Sequence, residues 1–128
     1  MHLADDEKAH TLRELSAAQQ AVTERISSWP GITVHEHRFG GVEFRVGRRE
    51  LGHLHSAFAD LPFPRAVRDS LVAAKRAKPH HIIRDSGWVT VPMRNESEIA
   101  NVIDLFRMSY ERSESPAPAP QDPYSNPD

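Results

Sequence analysis

The residues best suited to chemistry in this chain are histidines, and most of its eight fall in pairs. His53 and His55 close the stretch Glu50-Leu-Gly-His-Leu-His55. Residues two apart on a strand share a face, so both imidazoles are predicted to project together, with Leu51 beside them and Glu50 facing away. Such a pair supports three readings. Two imidazoles can bind one metal ion. An imidazole that titrates near neutrality can move a proton or hold a polar ligand. The rings can also simply hydrogen-bond locally on a half-exposed face. His80-His81 adds a second pair. Neighbouring strand residues point to opposite faces, so one of these two is expected to join His53 and His55 unless a bulge intervenes. His35-Glu-His37 is read as a solvated sheet face.

Other groups frame these rings. Asp60 and Asp85 fall in predicted loops, where either could bring a carboxylate, although nothing in the sequence fixes one beside an imidazole. Trp88 follows Gly87, a residue that permits close approach to the backbone. Its indole is a candidate wall for a planar ligand, with Phe63 as a second wall and with Asp85 and Ser86 orienting a neighbouring ring. No serine sits in a GxSxG elbow, and the phosphate-binding patterns GxGxxG and GxxxxGK[ST] are absent. The chain has no cysteine, which excludes disulfides, thiolate catalysis and cysteine-bound zinc.

These side chains need a scaffold. Leu12, Leu15, Val22, Ile26 and Trp29 recur at helical spacing, Thr11 to Glu14 has the spacing of a capping box, and Pro30-Gly31 ends the helix. Ile32 to Phe39, Val42 to Val46 and Glu50 to His55 read as a meander of three strands, turned at Gly40-Gly41 and at Gly47-Arg-Arg49. The two prolines of Asp60-Leu-Pro-Phe-Pro64 speak against a regular element there, and Pro64 suits the start of a helix carrying Val67, Leu71 and Ala74. His80 to Ile83 and Trp88 to Met93 form a predicted hairpin, and Asn95 with Glu98 caps a last helix. The order α-β-β-β-α-β-β-α predicts an α+β fold: one antiparallel sheet of about five strands with helices packed against it.

At 128 residues the chain has room for one domain, placed at residues 5–112, with a disordered proline-rich tail at 113–128. The net charge of -2 is spread along the chain and argues against nucleic acid as a partner. An acidic N-terminus without an apolar segment, and no run of membrane-spanning length, make the cytoplasm the expected compartment and exclude a membrane partner.

Four stretches carry a family resemblance. Phe44-Arg-Val-Gly-Arg-Arg-Glu-Leu-Gly-His-Leu-His55, Asp60-Leu-Pro-Phe-Pro64-Arg-Ala-Val-Arg68, His80-His81 with Ser86-Gly-Trp88-Val, and Leu105-Phe-Arg-Met-Ser-Tyr110 resemble the luciferase-domain family over about residues 12–112. The chain is also distantly similar to YjbR-type proteins, which have an antiparallel sheet with flanking helices. The first resemblance implies a small planar, oxygenated ligand and oxygenase-like or acid/base chemistry with no metal and no organic cofactor. It implies His53, His55, His81 and Trp88 as pocket residues; with the reading of the residues above, the three histidines are the expected catalytic residues and Trp88, Phe63 and Asp85 the expected substrate contacts. A second expectation, of a different class, is a non-catalytic adaptor that binds another protein and uses the tail as a linker or recognition segment.

Overall fold

The computed structural model describes residues 15–37, 40–80, 82–83 and 86–112. The first helix, α1 (Ala17–Ser27), is capped at Ser16. The Ser16 hydroxyl accepts from the Gln19 amide, and the Gln19 side chain accepts from the Ser16 amide. The box expected at Thr11 to Glu14 lies outside the described residues, as do the tail after residue 112 and the expected domain start at residue 5.

Among the described residues six strands follow: β1 (Ile32–His37), β2 (Gly41–Val46), β3 (Arg49–Leu54), β4 (Phe58–Pro62), β5 (Lys78–Pro79) and β6 (Trp88–Pro92). The remaining helices are α2 (Arg65–Ala73) and α3 (Glu96–Arg112), the latter capped where Asn95 Oδ1 accepts from the Glu98 amide. All the strands join one antiparallel sheet in the order β1-β2-β3-β4-β6-β5. The fold is the expected α+β sheet-and-helix layer, with one strand more than expected.

That strand is β4, read from the sequence as irregular because of its prolines. It pairs with β3 only at Asp60 and Ala59, so Pro62 lies beyond that ladder, opposite Trp88 of β6. A proline costs nothing where no ladder bond is due. The hairpin partner of β6 also begins earlier than expected: Lys78 and Pro79 form β5, and the His80 amide donates to the Trp88 carbonyl just beyond it.

Strand alternation sorts the side chains. Ile32, Val34, Val42, Phe44, Leu54, Ala59, Leu61, Val89 and Val91 are buried in the core with Val22 and Ile26 of α1 and Val102, Leu105 and Phe106 of α3. Phe106 stacks edge-on against Phe44 at 5.4 Å, and the Ser109 hydroxyl donates to the Leu51 carbonyl. The residues between them in sequence therefore point to the sheet face away from α1 and α3.

Candidate functional site

That second face carries a continuous polar row. Cross-strand pairing aligns His35 with Glu43, Glu43 with His53, His53 with Asp60, and Asp60 with Thr90, so one line of chemically active side chains crosses five adjacent strands. Directly opposed residues on one face are close enough to interact, and here they do.

Asp60 is the centre. Its side chain is 1% exposed, and its Oδ2 lies 3.1 Å from His55 Nε2, 3.3 Å from His53 Nε2 and 3.6 Å from His80 Nε2. The Thr90 hydroxyl donates to Oδ1 at 2.7 Å. Burial alone would raise the Asp60 pKa. The three imidazoles and Thr90 outweigh it and hold the carboxyl well below the usual carboxylate range.

A β-bulge brings in the second carboxylate. Phe44 pairs with Gly52, but Arg45 pairs with Glu50, leaving Leu51 as the extra residue. The expected alternation therefore fails here: Leu51 turns into the core, and Glu50 joins the face of His53 instead of opposing it. Glu50 Oε2 sits 2.6 Å from His53 Nδ1. His53 lies between the two carboxylates; burial lowers its pKa, but its bonds to Asp60 and Glu50 prevail and raise it to about 9.

The tautomer of His80 follows from its neighbours. Its Nδ1 accepts from the amides of Ile82 and Ile83 at 3.1 and 3.3 Å. A ring nitrogen accepting from amides carries its lone pair, so the ring proton of neutral His80 is on Nε2, the atom facing Asp60. His37, read from sequence as solvated, is instead half-buried and stacked on His53, with centroids 3.9 Å apart and planes 15° from parallel. Its Nδ1 lies 3.0 Å from Glu43 Oε1, and the other oxygen of Glu43 accepts from Arg45 Nε. Burial would raise the Glu43 pKa, and these two partners bring it below its usual value.

The structure thus gathers His53 and His55, brings in His80 of the second pair and the carboxylate of Asp60, and adds Glu50 and His37. His81 and Asp85 lie outside the described residues. Trp88 and Phe63 are fully buried, Phe63 within the core, so neither presents a ring face to an arriving ligand in this conformation. Trp88 does belong to the cluster, 5.6 Å from His53 and 6.3 Å from His80 between ring centroids. Its indole Nε1 is buried and has no hydrogen-bond partner among the described residues. Among the Asp60 imidazoles, His55 is the reachable one, at 23% side-chain exposure against 3% for His53 and 4% for His80. An open cleft of about 610 Å³ lies elsewhere, between the end of α2, β5 and the start of α3, and no candidate site residue lines it.

A pH prediction follows from the pair at the centre. The raised His53 pKa stabilises the fold fully below about 6.5 and is lost as pH rises through about 9. The lowered Asp60 pKa contributes above its ordinary 3.8 and is lost on acidification. Stability in chelator should peak between about pH 4 and 6.5 and fall by up to roughly 3 kcal/mol towards pH 10, measured by urea unfolding. A flat profile from pH 6 to 10 would contradict the His53–Asp60 geometry.

Comparison with known proteins agrees with the resemblance drawn from the motifs: residues 48–109 match the family model described as Luciferase domain. That span runs from β3 into α3 and holds His53, His55, Asp60, His80, Trp88 and Thr90, but not His37 or Glu43. No curated protein and no solved structure matches the chain, and the likeness to YjbR-type proteins has no counterpart in these comparisons.

Proposed function

We propose, on the premise that residues 48–109 are a luciferase domain, that the histidine face binds a small, planar, oxygenated molecule and removes a proton from it. One observation carries this reading: a buried carboxylate, Asp60, is bonded to an imidazole, His55, that reaches solvent. A carboxylate accepting from Nε2–H fixes the tautomer and leaves Nδ1 as the basic nitrogen, and it steadies the imidazolium once the proton arrives.

An acidic enol or phenol is the substrate class that suits such a base. Loss of its proton to His55 leaves an electron-rich anion. Addition of dioxygen to a carbon of that anion forms one C–O bond, and the imidazolium returns its proton to the peroxide. The sum is substrate plus dioxygen giving a hydroperoxide, with no external reductant. His53, protonated between Glu50 and Asp60, offsets part of the negative charge of those carboxylates.

The test is a titration of hydroxypyrones and flavonoid-like phenols in the presence of chelator. Trp88 fluorescence is the readout in a Trp29→Phe background, and dioxygen uptake is followed in parallel. His55→Ala, at a half-exposed position, should fold normally and weaken binding about tenfold or more, the loss of one charge-assisted hydrogen bond. Equal affinity in wild type and His55→Ala, or no response to any of these compounds by folded protein, would overturn the proposal.

A further inference from the structure

We infer that His53, His55 and Asp60 form a binding site for one first-row divalent metal ion, with His80 and Glu50 as supporting groups rather than ligands. The inference shares the site of the proton-transfer reading and rests on it only for what a bound ion would do. Whether the ion binds stands on the geometry alone.

One ligand atom from each of His53, His55 and Asp60 lies within 4.8 Å of the other two, and Asp60 Oδ2 stands 3.1 and 3.3 Å from the two Nε2 atoms. Bonds of about 2.0–2.2 Å place neighbouring tetrahedral ligand atoms about 3.3–3.6 Å apart, and octahedral ones slightly closer. The spacing that serves a proton between nitrogen and oxygen therefore also serves as the edge of a coordination shell. Little movement of heavy atoms separates the two states; the arriving ion displaces the Nε2 protons of His53 and His55 to solvent.

A metal-bound imidazole typically gives its other N–H to a carboxylate, which fixes the ring and strengthens the donor. His53 has that partner in Glu50, delivered by the bulge at Leu51. His80 fails the same test. Its Nδ1 lone pair is engaged by two amides, so its Nε2 carries a proton and faces Asp60 as a donor. The ligand set is two imidazoles and one carboxylate with open positions remaining, the arrangement that suits iron(II) and related divalent ions. His55 is the exposed corner, so the open positions face the side from which a ligand arrives. A molecule with two adjacent oxygens, such as an α-hydroxyketone or a catechol, is the class that would fill them.

Protein purified without an affinity tag and stripped with chelator tests this by calorimetric titration with Zn²⁺ and by the visible absorption of added Co²⁺. Wild type should bind one ion per chain. Glu50→Gln should weaken binding about 10–100-fold, and His55→Ala should weaken it at least as much. His80→Gln, which leaves all three ligands in place, should keep saturable binding of one ion, weakened by no more than about 10–100-fold. No saturable binding by folded wild type, equal binding in His55→Ala, or abolition by His80→Gln would each overturn the assignment. The hydroxypyrone titration is run in chelator, so loss of the metal site leaves proton transfer standing, and failure of that titration leaves the metal site standing.

Discussion

Replacing Asp60 with alanine should destabilise the fold by about 3–5 kcal/mol, measured by urea unfolding near pH 6. The carboxylate is 1% exposed, and it is the shared partner of His53, His55, His80 and Thr90. Its removal takes from the buried His53 cation one of its two carboxylate partners and leaves Glu50 as the other. The penalty has a signature that simple loss of packing lacks. His53 can shed its proton at higher pH, so the difference between wild type and variant should shrink as pH rises towards about 9. A loss independent of pH would mean that Asp60 contributes volume rather than charge. Against a typical domain stability of about 5–15 kcal/mol, this one residue decides whether much of the chain stays folded.

Gly52→Ala should be nearly as severe, about 2–5 kcal/mol by the same measurement, from steric overlap added to backbone strain. Gly52 has φ of 151°, and an added Cβ would stand 2.8 Å from the Asp60 carbonyl oxygen and 2.8 Å from Phe106 Cε1. One of those atoms is backbone of β4, and the other is a core ring packed against Phe44. Movement of the first disturbs the register that sets Asp60 against His53, and movement of the second disturbs the packing of Phe106 on Phe44. Gly47, at φ 59° with nothing within 4 Å of an added Cβ, is the control: Gly47→Ala should cost only about 1–2 kcal/mol. Equal effects at the two glycines would show that the close approach of α3 to β3 is not a constraint.

Much of this arrangement was legible in the sequence, and the gaps have physical causes. The alternation of Val42, Phe44 and Val46 with Glu43 and Arg45 gave β2, and Asn95 with Glu98 gave the start of α3. His53 and His55 were recognisable as partners because their spacing survives whatever lies upstream. Asp60 reads as a loop residue, because prolines at positions 62 and 64 look prohibitive when nothing shows that β3 ends its pairing before them. Simple alternation puts Glu50 on the wrong face because a bulge resets it, and the glycine next to the extra residue is its only signal. His37 reads as solvated because its own strand gives no hint of a ring stacking across from β3. His80 and His81 are indistinguishable by type, and the choice of His80 depends on where β5 stops. Local pattern shows which residues share a strand, whereas the convergence on Asp60 depends on register between strands.

The most direct test of that convergence is a long-range ¹H–¹⁵N correlation spectrum of the histidine rings, followed from pH 6 to 10 in chelator. The structure predicts that His80 carries its proton on Nε2 when neutral, and that both nitrogens of His53 stay protonated until about pH 9. A His80 ring protonated on Nδ1, or a His53 that titrates near 6.5 like a free imidazole, would mean that these rings do not meet around one buried carboxylate.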